Sequence, residues 1–376
     1  MTGCRSALLR QQVKIMNYKY WIAFSSIEQI DSRFIKRLYD YFGDIEKAFN
    51  SEAKELENID GLSVKQAQNF IKLRDKVDID KVFANVESKG INFLTLEDEN
   101  YPKMLKNIEN PPAVLYYKGK LFDCNLEKTL AVVGSRKAST NSRNNLRKII
   151  SGLGNTDICI VSGLASGIDT VAHTSAIENN LKTIGVIASG FDYVYPTQNK
   201  TLYENIENGY GAVVTECYPS FEPIKFRFPQ RNRIVSGLSY GTLVAEAGIQ
   251  SGALITANLT LEQGRELMCI PGEISNPNTQ GIYKLLKNGA TMVTESNDIL
   301  DALGWEVKKE VQTQLTLPTL TPDEEKIYEY VKIEERGVDE LLSLTGLSFD
   351  NLLMNLTTME LKGIIKQVGG DRYKAF

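Results

Sequence analysis

The sequence predicts an α/β protein: a doubly wound, largely parallel sheet, preceded by a small helical domain and followed by a winged-helix-like domain. Three observations carry this. Seven short segments between residues 130 and 295 are apolar nearly throughout, as strands are when helices cover both faces of their sheet. Helical stretches separate them, and Gly134, Gly163, Gly190 and Gly272 each directly follow one of them. On either side of this region the apolar residues switch to helical spacing. The expected segmentation is an unstructured leader over residues 1–17 and a helical domain over 18–80, then the sheet domain with its entry connector over 81–302. A linker over 303–320 and the winged-helix-like domain over 321–376 complete it.

In the helical domain, "SRFIKRLYDYFG" and "IEKAFN" lead into "LENIDGLSVKQAQNFI", two helices about a glycine turn. The last segment resembles a SAM or helix-hairpin-helix motif; the turn amides of the latter can hold a DNA phosphate. Gly61 is present, but Ser63 stands where the second glycine usually sits, so plain packing is the preferred reading. The connector, "GINFLTLEDENYPKML" and "PPAVLYYKG", reads as a strand, a turn and a second strand. The seven sheet segments are "LAVVG", "DICIVSG", "TIGVIASG", "GAVVTEC", "GTLVAEAG", "ELMCIPG" and "TMVTE". Ligands of such a sheet sit at the carboxyl ends of its strands, which is where the glycines fall. The tail reads as three helices and a hairpin turning at Gly369 and Gly370. Its third helix offers Asp350, Glu360 and a single Lys362, too little positive charge for strong phosphate docking.

Composition excludes several classes. The chain has 376 residues, 42% hydrophobic and 24% charged, with a net charge of -4, which describes a globular chain of two or three domains. Cys4, Cys124, Cys159, Cys217 and Cys269 lack metal spacing and read as buried thiols of a reducing compartment. No apolar run has signal-peptide or membrane-span length, so a cytoplasmic protein with no membrane association is expected. No cofactor or metal site is implied.

Charge is distributed unevenly. Residues 128–156 hold Lys128, Arg136, Lys137, Arg143, Arg147 and Lys148 without one acid. "AVVGSRKAST" within them predicts strand, turn and helix, an amide-lined anion site at Gly134 and Ser135 with Arg136 and Lys137 beside it. Residues 223–245 hold Lys225, Arg227, Arg231 and Arg233, again without an acid and interleaved with Phe226 and Phe228. Cations that track phosphates beside rings on which bases stack point to single-stranded nucleic acid. The acidic total is no objection, because residues 303–340 carry ten acids against five bases and mask the middle of the chain.

The blocks "VVGSRKAS", "IVSGLASGIDTVAH", "IASGFDYVYPTQNKTLYENI", "TECYPSFEPIKFRFPQRNRIVSGLS" and "VAEAGIQSGALITANLTLEQGRELMCIPGEISNPNTQGIYKLLKNGA" occur in the order found in the DNA-processing protein A (DprA/Smf) family, which residues 95–302 resemble closely. The resemblance implies an extended Rossmann-like domain that acts as a homodimer. It implies a cytosolic, non-enzymatic protein that binds single-stranded DNA without sequence preference, protects incoming strands and loads the recombinase RecA in natural transformation. It assigns phosphate contact to Arg136 with Gly134 and Ser135, and DNA contact to Lys225 and Phe228. Arg231, Asn232 and Arg233 of the "RNR" block either touch DNA or brace the pocket, and Ser162, Gly163 and Gly167 add amides to the same cleft. Arg231 and Arg233 lie two apart, so on a helix at most one grips the strand.

A rival reading is an enzyme of the phosphoribohydrolase type acting on nucleoside monophosphates, because "SGLSYGTLVAEA" loosely matches its glycine-rich signature. Glu246 lies one residue too far from Thr242 and the first glycine pair is broken, so Glu246 is expected to bond pocket amides or an arginine. His173, the only histidine, is expected to pack rather than to catalyse or bind metal.

Overall fold

A computed structural model describes residues 15–154, 156–306 and 320–375. The chain divides into two compact units, Met1–Val307 and Lys308–Phe376. The expected leader lies outside the described residues except for residues 15–17, which are helical; of the expected linker, residues 307–319 lie outside them.

The first unit opens with helices α1 (residues 15–25), α2 (Ser32–Phe42), α3 (Ile45–Asn50), α4 (Ala53–Leu56), α5 (Val64–Arg74) and α6 (Ile79–Ser88). Their core is aromatic: Phe24 stacks on Phe70 at 5.3 Å and meets Phe49 edge-on at 5.0 Å. Gly61, at φ 73°, makes the turn before α5, and the Gly61 carbonyl accepts from Arg37 Nη1 at 2.5 Å. Ser63 caps α5 in a capping box with Gln66, so the residue that replaces the second glycine of a hairpin motif closes the helix from within.

Each of the seven apolar segments forms a strand. Strands β1 (Asn92–Thr95) and β2 (Val114–Gly119), with α7 (Lys103–Lys106) between them, precede β3 (Thr129–Gly134), β4 (Cys159–Ser162), β5 (Lys182–Val186), β6 (Gly211–Thr215), β7 (Gly241–Glu246), β8 (Glu266–Cys269) and β9 (Thr291–Met292). They form one nine-stranded sheet in the order β1-β2-β6-β5-β4-β3-β7-β8-β9. The pairs from β6 to β9 are parallel, and β2 joins β6 antiparallel. Alternate residues of β3 enter two separate cores: Ala131 and Val133 on one face, Leu130 and Val132 on the other. Helices α11 (Arg227–Gly237) and α12 (Ala253–Glu262) cover the first face; α8 (Thr140–Ser151), α9 (Ile168–Glu178) and α14 (Ser296–Leu303) cover the second. The unit also contains α10 (Lys200–Asn205) and α13 (Gln280–Lys287). This is a doubly wound, Rossmann-like sheet.

The strand order has a functional consequence. The chain builds outward from β3 through β4 and β5 to β6, then returns to place β7 on the opposite side of β3. Connections from β3 and β7 therefore leave toward opposite faces and part the loops above them. That is the position at which open α/β sheets hold ligands.

The second unit packs α15 (Pro322–Val331), α16 (Val338–Thr345) and α17 (Phe349–Leu361) against strands β10 (Arg336–Gly337), β11 (Ile365–Gly369) and β12 (Arg372–Ala375). The β11–β12 hairpin turns through Gly369 and Gly370, at φ 136° and 58°, as a winged helix requires. Lys362 is paired with Glu324 at 2.7 Å and Arg372 with Glu335 at 3.5 Å, which further reduces the free positive charge of this unit.

Candidate nucleic-acid interface

The turn after β3 is held by one buried carboxylate. Glu246, at the end of β7, accepts from the Ser139 amide at 3.1 Å and from the hydroxyls of Ser139 and Ser142 at 2.6 and 2.7 Å. Its carbonyl accepts from the Ser135 amide at 2.8 Å. Ser139 also caps α8, which starts at Thr140. Glu246 is fully buried and spent on these partners, so it positions the turn and does not line the cleft. Arg136 and Lys137 are left exposed at the crest of the turn.

Two glycines bring the next loop against this one. A Cβ on Gly134 would lie 2.6 Å from Ile168 Cγ1, and one on Gly167 only 2.3 Å from the Ser135 carbonyl oxygen. Gly167 also sits at φ 84°, ψ -123°, open to glycine alone. The amides expected from Ser162 and Gly163 are not offered to the cleft: neither residue lines it. Ser162 is buried with its hydroxyl on the Val132 carbonyl at 2.6 Å, and the Gly163 amide donates to Asp169 at 3.1 Å.

Helix α11 carries the "RNR" block across the sheet. Ile234, Val235 and Leu238 enter the core, which turns Arg231 and Arg233 to different sides. Arg231 is 6% exposed, and its Nη1 donates to the carbonyls of Gly163, at 2.6 Å, and Val186. Gly163 must lack a side chain because a Cβ there would stand 2.5 Å from the Arg231 guanidinium. Burial lowers the Arg231 pKa to about 10, leaving the group charged at neutral pH. Burial also raises the Asp169 pKa, while Arg231 and the amides of Ala165 and Gly163 oppose that rise. Arg233 faces a separate cavity of about 580 Å³ and pairs with Glu216 at 2.5 Å; Arg227 pairs there with Glu28 at 2.6 Å. The acid-free island is thus acid-free only along the chain. Folding brings Glu28 and Glu216 to it, so Arg227 and Arg233 are paired within the protein, and of the two roles open to Arg233 the brace is the one this pairing favours.

What remains is a cleft of about 1070 Å³ between the turn after β3, the start of α11 and the loop entering α12. Gly134, Ser135, Arg136, Lys137, Lys225, Phe228, Arg231 and Asn232 line it; Ser162, Gly163, Gly167 and Arg233 do not. The Phe228 ring is central: the Arg136 guanidinium lies 5.4 Å from its centroid, and Tyr195 meets it edge-on at 5.5 Å. Arg136, Lys137 and Lys225 are exposed and, among the described residues, have no carboxylate within ion-pair distance. Asp169 is the one acid in the lining, and it is buried and bonded to amides. Such a surface attracts anions and offers ring faces beside them.

Sequence reasoning missed Asp169 and Tyr195. Asp169 had a signal, an acid in the first turn of a helix that follows a glycine loop. Tyr195 had none, because only folding brings "YVYPTQN" to Phe228.

His173 packs as expected, buried with Nδ1 2.7 Å from the Thr183 hydroxyl. Burial, with Arg231 adding to it, lowers its pKa to about 3. The unfolded chain takes up this proton near pH 6.5 and the folded chain does not, so stability falls as pH drops below about 6.5. We expect a loss of about 1.4 kcal/mol between roughly pH 7.5 and 5.5, measured by urea denaturation. With no other histidine in the chain, His173→Gln should flatten that slope.

The family model described as DNA recombination-mediator protein A matches residues 92–304, and that of the DprA winged helix domain matches residues 311–371. The chain is 31% identical to "Protein Smf" of Synechocystis, over 94% of this chain and 98% of that protein. The structure of DNA processing protein A from Streptococcus pneumoniae superposes with a TM-score of 0.65 at 35% identity, covering 75% of this chain and 95% of that one. A DNA processing protein A from Helicobacter pylori, whose structure describes its single-stranded DNA binding mode, matches with a TM-score of 0.51 at 27% identity, covering 57% and 95%.

Proposed function

Because the chain belongs to the DNA recombination-mediator protein A family, we propose that its cleft binds single-stranded DNA without sequence preference. In this reading Arg136, Lys137 and Lys225 hold phosphates with the Gly134 and Ser135 backbone, Phe228 takes a base, and Asn232 adds a polar contact. Arg231 and Arg233 brace α11. The observation that carries the proposal is the Phe228 ring, set between Arg136 and Tyr195 in a cleft whose exposed charges are all positive. Phosphate and ring contacts carry no base information, which is why sequence preference is slight. The bound strand is protected and passed to RecA during recombination or natural transformation, by a cytoplasmic homodimer formed through the Rossmann-like domain. Among the described residues no helix is long and apolar enough to cross a membrane, and no cluster suits a metal ion.

The test is binding of oligo-dT by the full chain as a function of salt. Arg136→Ala and Lys225→Ala should each weaken binding about tenfold or more, and each should reduce the slope of log K against log salt by about 0.7. Parental affinity and slope in both variants would sink the proposal. Release of base from adenosine monophosphate would favour the enzyme reading instead.

A further inference from the structure

Arg136 also lines a second groove, of about 440 Å³, formed by α8, the start of α9 and the turn at Gln198 and Asn199. Arg143, Arg147, Gly167 and Thr174 line it too, and no Asp or Glu does. Ser142, Leu146, Ile149 and Ile150 of α8 face inward, which leaves Arg143 and Arg147 exposed and one helical turn apart, about 5–6 Å between Cβ atoms. A solvated helix face usually alternates such arginines with acids four residues away. From Thr140 to Ser151 α8 has none, and among the described residues no carboxylate lies within ion-pair distance of Arg143 or Arg147. Arg147 donates to Asn144 at 3.2 Å. Three guanidinium groups therefore share one groove with no protein counter-charge, an arrangement relieved by a bound polyanion.

We propose that this groove continues the path of the DNA strand: a strand gripped at Arg136 passes over the turn after β3 onto α8, where Arg143 and Arg147 take further phosphates. The inference rests on the reading of the cleft as a single-strand site. It extends the footprint past Arg136, which lines both the cleft and the groove, to Arg143 and Arg147, which line the groove and not the cleft.

Length dependence tests it. Binding of oligo-dT of about three and about twenty nucleotides is measured by fluorescence anisotropy on the full chain, the Arg143→Gln/Arg147→Gln double variant and Arg136→Gln, with thermal melting as a folding control. The double variant should bind the short oligonucleotide like the parent. It should bind the long one about tenfold or more weakly, with a salt slope reduced by about 1.4 for the two lost phosphates. Parental affinity and slope at both lengths would overturn the extension and leave the cleft reading intact. Equal weakening at both lengths would also overturn it, because the arginines would then act within the cleft footprint. If Arg136→Gln bound both lengths as tightly as the parent, the cleft reading itself would fall.

Discussion

Arg231→Ala is expected to destabilise the first unit by about 3–5 kcal/mol and to lose DNA binding through the loss of structure. The side chain is nearly inaccessible and satisfies the carbonyls of Gly163 and Val186, at the ends of β4 and β5. Truncation leaves both carbonyls in a buried site and removes the positive field that offsets burial of Asp169. Arg231→Lys should recover little, because a single ammonium does not reproduce the planar fork. Urea unfolding monitored by far-UV circular dichroism measures the effect. Its pH dependence has a definite sign. Without Arg231, Asp169 holds its proton more tightly in the folded chain than in the unfolded one, so folding takes up a proton above about pH 4 and the deficit narrows as pH falls. Arg136→Ala provides the contrast. It removes an exposed side chain, so the unfolding free energy should stay within about 0.5 kcal/mol of the parent while binding weakens about tenfold or more. An Arg231→Ala protein as stable as the parent would show that the arginine is not a brace.

Gly167→Ala is the second large expectation. The added Cβ would meet the backbone oxygens of Ser135 and Arg136 at 2.3 and 2.6 Å, and neither can swing aside as a flexible side chain could. The conformation itself adds about 1–3 kcal/mol for any residue with a Cβ. Together we expect a loss of about 3 kcal/mol or more. Relief requires the two loops to separate, which would also break the bond from the Ile168 amide to the Ser135 carbonyl at 3.1 Å and move Arg136 away from Phe228. Binding should therefore fall even under conditions where the variant remains folded. Titration with oligo-dT at low temperature, alongside the unfolding curve, separates the two effects. A folded Gly167→Ala protein with parental affinity would mean that the loop contact does not set the position of Arg136.

Both variants concern residues that look alike in sequence to those around them. In "FPQRNRIVSGLS" nothing distinguishes Arg231 from Arg233, and two residues of helix place them on different sides without saying what lies there. The partner of Arg227, Glu28, is 199 residues away, and the carbonyl that accepts from Arg231 belongs to Gly163, 68 residues away. Counting acids along the chain gives no account of such pairings, so the second basic island looked barer than it is. In the first island Lys128 pairs with Asp157 at 2.8 Å, just beyond the acid-free run. The strand end, the turn and the capped start of α8 around Arg136 are local in sequence, but the carboxylate that holds them, Glu246, is 107 residues from Ser139, and Arg136 is exposed.

By itself the sequence determined what local chemistry settles: seven strands apolar on both faces, glycine turns at their ends, a tight strand-to-helix turn at Gly134–Arg136, and a winged tail whose third helix lacks positive charge. Tertiary structure alone decided which loops share a cleft. The order β4-β3-β7 parts the connections above β3, and the packing of Ile234, Val235 and Leu238 sends Arg231 to the carboxyl ends of β4 and β5 and Arg233 to Glu216. Residue type and spacing describe a helix and its faces. What each face meets depends on crossovers between strands distant in sequence, and those crossovers separate the cations that brace this protein from those left exposed to a ligand.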